Sequence, residues 1–249
     1  MKNMLKAIRQ DDIQNIFECL SQAMGDDQQE ASSHLGLRTH VSDPFLKWDL
    51  IYRNLMNRFD EGNLKYSVTK RGMWTVLLLY DTNSKLLFSF MRDTRFKDIK
   101  NRKSAFRPQY IQALISLNSK LRAPTKQLRL FDDEPKFTQT ELEKTLAELC
   151  SNFDGSIDTK NSKHVMVVFS NKYGSVDSLK AYLLDRDLDI VCEQDWLDIA
   201  KPVMSSIPDI APCEEKEIVP TLKPKALQRI REKELVAIRE QEEQKNLSN

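Results

Sequence analysis

"LKYSVTKRGMWTVLLLYDTNSKLLFSFMR", Leu64 to Arg92, is the stretch on which the fold turns. It holds three runs rich in Val, Leu, Phe, Tyr and Thr: 64–70, 73–81 and 85–92. Such runs bounded by turn residues read as strands. Arg71-Gly72 and the Asp81 to Ser84 stretch "DTNS" supply the turns. The spacing predicts a β-meander. Its middle strand is almost wholly apolar and is expected to be central and covered. The same grammar returns downstream in "HVMVVFS" (164–170), "SVDSLKAYL" (175–183) and "DIVCE" (189–193). Residues 171–174 and the Asp-rich 185–189 are the turns of this second meander.

Around the meanders the apolar period changes to that of a helix. Leu5, Ile8, Ile13, Ile16, Phe17, Leu20 and Met24 mark one amphipathic helix, or two short ones, over 3–24. Residues 25–44 are polar and read as a loop. Ser42 and Asp43 before Pro44 open a helix that should stop near 60–63. A helical pattern over 93–122 is divided by Pro108. Residues 138–150 form a further helix, announced by Thr138 three residues before Glu141. The expected class is α+β: two antiparallel β-meanders packed with helices, plus a C-terminal helical tail. Residues 1–200 read as one domain with a sub-boundary near 122–137. Residues 201–224, with five prolines, read as a linker, and 225–249 as a helical tail.

The chain has 249 residues, 40 % apolar and 30 % charged, with a net charge of +1. That length buries a core without disulfides or metals. Cys19, Cys150, Cys192 and Cys213 are scattered, with no C-x-x-C pair and no histidine at ligand spacing, so they read as reduced thiols. The N-terminus has acids by position 11 and no apolar core of a signal peptide. The longest apolar run, Trp74 to Tyr80, is too short for a bilayer. A cytoplasmic protein with no membrane association is expected. No cofactor and no metal site is anticipated.

"GLRTHVSDPFLKWDLIY" (36–52), "RGMW" (71–74), "LYDTNSKLLFSFMRDTRF" (79–96) and "YLLDRDLDIVCEQDW" (182–196) together resemble a family of bacterial and phage proteins known only as a domain of unknown function, mainly from low-GC Gram-positive bacteria. The resemblance spans roughly 30 to 200. It implies a mobile-element setting such as phage, antiviral defence or toxin–antitoxin genes. It supplies no reaction and no catalytic residues.

Familiar catalytic signatures are missing from the sequence: it has no phosphate-binding glycine loop, no G-x-S-x-G and no H-E-x-x-H. His34 and His40 flank "LGLRT" near Asp43. Together they suit either acid–base work or an ordinary polar loop. A metal-dependent nuclease needs convergent carboxylates. Asp81 with Lys85 and Asp93 with Lys97 lack the spacing for it, and turn chemistry accounts for Asp81.

Local charge is more informative. From Arg92 to Arg129 there are eleven basic residues against Asp93 and Asp98, a net +9 that leaves −8 elsewhere. Arg92, Arg95, Lys97, Lys100, Arg102, Lys103 and Arg107 form the candidate patch for nucleic acid or an acidic partner. Phe96, Phe106 and Tyr110 interleave with it and suit either base stacking or a core. Gln127-Leu128-Arg129-Leu130-Phe131 resembles the Q-L-x-L-F motif by which bacterial polymerases and repair proteins bind the replication sliding clamp. Gln127, Leu128, Leu130 and Phe131 match it, whereas Arg129 departs from the small or acidic residue usual there. A glutamine amide followed by apolar anchors suits a pocket. The alternation of Leu128 and Leu130 also suits a strand. The tail helix, with Leu227, Ile230, Leu235 and Ile238 on a thin stripe, suits docking on a partner such as a cognate antitoxin, or on its own domain. The expectation is therefore an interaction protein that engages the sliding clamp or nearby DNA to inhibit or redirect replication. The alternative is a nucleic-acid binder or metal-dependent nuclease built on the basic 92–107 segment.

Overall fold

The computed structural model describes residues 5–36, 39, 41–60, 64–72, 74–102, 107–124, 137–153, 155 and 157–200. All lie within one unit, Met1–Val203; the second, Met204–Asn249, lies outside the described residues, as do the whole anticipated linker (201–224) and the anticipated tail (225–249). In chain order the elements are α1 (Gln10–Met24), α2 (Asp26–His34), α3 (Asp43–Phe59), β1 (Leu64–Arg71), β2 (Trp74–Asp81), β3 (Leu86–Arg92), α4 (Asp93–Asn101), α5 (Gln109–Ser116), α6 (Gln139–Leu149), β4 (Lys163–Lys172), β5 (Ser175–Leu184) and β6 (Ile190–Asp195).

Both expected meanders form, and they are parts of one sheet in the order β1-β2-β3-β4-β5-β6. Neighbours are antiparallel except the central pair. There β3 runs parallel to β4 from Leu86↔Lys163 to Arg92↔Phe169. A parallel pair needs a crossover, and α4, α5 and α6 lie within it. The turns are those the local residues demand. Asp81 accepts from the Asn83 amide at 2.9 Å and the Ser84 hydroxyl at 2.6 Å, which is turn chemistry as anticipated. Tyr173 and Gly174, both at positive φ (51° and 84°), link Lys172 to its partner Ser175. Two successive left-handed residues match the twist of a two-residue hairpin.

The near-continuous apolar runs of β2, β3 and β4 follow from helices on both faces. On one face Leu77, Leu79, Phe88, Phe90, Val165, Val167 and Phe169 pack under α1 and α3 through Ile13, Ile16, Leu20, Ile51 and Leu55. On the other, Leu78, Tyr80 and Leu87 meet Leu114 of α5 and Leu146 and Leu149 of α6. Met91, Met166, Val168 and Leu184 meet Phe96 and Ile99 of α4 and Ile111 and Ile115 of α5.

One expectation is corrected: the polar stretch 25–44 contains the helix α2. Its sequence, DDQQEASSH, carries no apolar stripe. It is held instead by Asp27, a buried carboxylate that accepts from Asn54 Nδ2 (2.7 Å), Arg53 Nη2 (2.8 Å) and Gln22 Nε2 (3.3 Å). Buried charge is tolerated when it is paired and hydrogen-bonded in this way.

Candidate functional site

The sheet is not continuous along its whole length. β2 and β3 are paired from Asp81↔Leu86 to Leu78↔Ser89. Beyond that point β2 stays with β1, from Val68↔Leu77 to Arg71↔Trp74, while β3 stays with β4 as far as Arg92↔Phe169. The sheet therefore divides at the C-terminal ends of its two parallel strands. Crevices at such ends are where open α/β sheets take ligands.

An unpaired strand edge must find other partners. Tyr52 of α3 supplies one: its hydroxyl donates to the Thr75 carbonyl at 3.1 Å and accepts from the Leu77 amide. One turn earlier, Trp48 sits edge-on to Phe169 at 5.6 Å and tilted against Tyr52 at 5.5 Å. Thus α3 bridges the gap from β4 to β2 on one face, over the end of β3. On the opposite face stands Tyr110 of α5, with Arg71 and Arg95 near enough to favour its ionised form. Burial raises both phenols above their ordinary range, and Tyr110 adds to the rise at Tyr52.

Arg92 closes β3 in the middle of this arrangement. Strand alternation places it on the same face as Phe88 and Phe90. Its Nε and Nη2 are buried and have no hydrogen-bond partner among the described residues. Burial lowers its pKa, and no carboxylate among the described residues offsets the effect. A buried donor left unpaired in a native fold needs a reason.

The remaining patch residues divide into two groups. Along α4 and just past it, Arg95 and Arg102 share Asp98 (2.6 and 2.9 Å), and Lys97 pairs with Asp93 (2.6 Å). With Lys100, these are four cations against two carboxylates, so residues 93–102 keep a net +2. Arg107 stands apart: it is buried and donates through Nη2 to the Asp187 carbonyl at 2.9 Å, holding a loop. Phe96 is buried and stacked on Tyr182 at 5.3 Å, so it is core and not a stacking platform. Lys103 and Phe106 lie outside the described residues. Sequence reasoning missed the aromatic pair that is exposed. Phe45 and Trp74 stack at 5.3 Å with planes 13° apart, and are 49 % and 57 % exposed. The signal was a tryptophan at the tip of a hairpin beside Arg71-Gly72, where no core position exists.

The clamp-like residues Gln127, Leu128, Leu130 and Phe131 also lie outside the described residues. What frames them is well anchored. Upstream, the Ala123 amide donates to the buried Asp185 carboxylate at 3.2 Å. Downstream, Thr138 and Glu141 form the anticipated reciprocal cap of α6. The two described histidines, His34 and His164, do not assemble. His34 lies at the end of α2 beside Glu30 (3.8 Å), His40 is outside the described residues, and His164 is fully buried in β4. His164 Nε2 lies 2.8 Å from Ser89 Oγ, and burial alone takes its pKa down to about 3. Among the described residues no group of three or more His, Cys, Asp or Glu side chains could hold a metal ion, and no helix is long and apolar enough to cross a membrane.

A family of unknown function, DUF5986, matches this chain over residues 5–238, a wider span than the resemblance in the sequence implied. No curated protein and no solved structure matches it.

Proposed function

The chain belongs to this family of unknown function, and from that premise we propose that it binds a nucleic-acid strand across the open end of its sheet. The observation that carries the reading is the exposed Phe45–Trp74 stack standing at the same end of the sheet as the basic residues that follow β3. An exposed aromatic platform takes a base of any sequence, and flanking cations take the phosphates. Binding to labelled single- and double-stranded DNA and RNA tests it. Truncating one stacking ring costs about 1–3 kcal/mol per base, so Trp74→Ala should weaken single-strand binding roughly tenfold or more. Unchanged affinity in Trp74→Ala, or no binding by the wild type at low salt, overturns the reading. Incubation with Mg²⁺ or Mn²⁺ distinguishes binding from cleavage.

A second reading concerns the sliding clamp. It is favoured by the frame around residues 125–136, tied to the domain at Ala123 on one side and Thr138 on the other. A segment held at both ends loses less freedom on binding than a free one. The Q-L-x-L-F stretch would then dock on the clamp while the basic face lies beside DNA, interfering with replication in the manner of a phage or defence protein. Binding of residues 122–136 to a purified clamp is expected, with loss in Leu130→Ala/Phe131→Ala. A peptide that fails to bind removes this reading and leaves the first intact.

A further inference from the structure

We propose that the gap between β2 and β3 is a seat for a single phosphate group, gripped by the guanidinium of Arg92. Three independent features converge there. First, the two unpartnered nitrogens of Arg92 are Nε and Nη2. They form one edge of the guanidinium, the edge that presents two parallel N–H groups to a tetrahedral or planar oxyanion. Second, aromatic side chains of α3 cover the gap on the Arg92 face. Trp48 and Tyr52 bridge the strands on the same face, from Phe169 on β4 to Thr75 on β2. Among the described residues no carboxylate pairs with Arg92, and Asp93 next to it is held by Lys97 at 2.6 Å. Third, the backbone opens here. Thr75 and Leu77 turn to Tyr52 because β3 has left them. On the opposite face of the sheet Tyr110 has Arg71 and Arg95 near it, while Asp49 is the one carboxylate among the described residues that acts on Tyr52.

The seat lies at the end of the parallel strands and at the start of α4, which has Arg92 as its N-cap and no side-chain cap. The first-turn amides of α4 therefore add to the attraction of an anion there. A buried fork at the end of a gap suits a terminal or free phosphate better than a phosphodiester in mid-strand. For the molecule that carries the phosphate, the proposal rests on the nucleic-acid reading. The seat itself does not.

The test uses the full chain, inorganic phosphate, and oligonucleotides with and without a 5′-phosphate. Phosphate should raise the melting temperature of the wild type, as any ligand of the native state does. It should raise that of Arg92→Met no more than chloride at equal ionic strength. The wild type should prefer the 5′-phosphorylated strand by about tenfold or more, the worth of a charge-assisted fork, and Arg92→Met should lose that preference. In phosphate-free buffer Arg92→Met should be at least as stable as the wild type, because an unpaired buried charge gives way to an apolar chain of similar shape. Arg92→Lys, which keeps the charge and loses the fork, should bind phosphate several-fold more weakly. Equal phosphate response in wild type and variants overturns the seat, even where oligonucleotides bind and the function proposed above stands. A phosphate response confined to wild type, with no oligonucleotide binding, upholds the seat and removes the nucleic-acid reading instead. A clear loss of stability in Arg92→Met would mean that the fold itself satisfies the guanidinium, and would also overturn it.

Discussion

At the scale of single residues, the most consequential histidine is one that neither acid–base nor metal chemistry claimed. His164 is wholly buried in β4, bonded to Ser89 through Nε2, with Nδ1 lacking a hydrogen-bond partner among the described residues. The Nε2–H tautomer suits this geometry, because a bare Nδ1 costs less there than an orphaned N–H. Its folded pKa of about 3 lies below the ordinary 6.5, so the unfolded chain binds the proton more readily. The stability that depends on a neutral ring is complete above about pH 6.5 and drains away as the pH falls towards 3, at about 1.4 kcal/mol per pH unit. Urea unfolding across that range should show His164→Gln less stable at pH 7 and less sensitive to acid than the wild type. Parallel pH dependences would refute the assignment.

At the scale of elements, what holds each helix decides how visible it was in the sequence. The α6 cap depends on residues three apart, Thr138 and Glu141, and was legible for that reason. Removing it with Thr138→Ala should cost about 1 kcal/mol. The end of α5 is fixed differently. Asn118, fully buried, accepts from the His164 amide (3.0 Å) and donates to the carbonyls of His164 (2.8 Å) and Leu184 (2.9 Å). Nothing local announces this, because its partners lie 46 and 66 residues away. Asn118→Ala leaves three buried backbone groups unpaired, and chemical denaturation should find a loss of about 3 kcal/mol or more, well above that for Thr138→Ala. α2 was missed for a related reason: it is held by Asp27 and not by an apolar stripe. Both meanders could be read because hairpins pair neighbours in sequence. The parallel junction of β3 with β4 could not, since its register is set by the packing of three crossover helices.

At the scale of the molecule, the separation of charge between residues 92–129 and the rest was legible from composition, but its use was not. Burial takes Arg107 out of the patch, ion pairs take up part of α4, and the split sheet makes Arg92 a different kind of residue from its neighbours. Three or four phosphate contacts by the residues along α4 predict a log–log salt slope of about −2 to −3 for single strands. Charge reversal at Lys97 and Lys100 should flatten that slope without moving the melting temperature by more than a degree or two. A slope near zero would show that these cations serve only their own helix. The parallel junction also bears on how the chain reaches this shape. Each meander closes short loops and can form early. The junction has to wait until the whole stretch from Asp93 to Ser162 has looped back, a costly non-local closure. Arg92 acquires its neighbour Phe169 only in that last event. During folding, then, the two halves exist as separate hairpin units before there is any seat between them. Whatever the gap holds is a ligand of the finished sheet, able to stabilise the union of the halves and unable to act on either one.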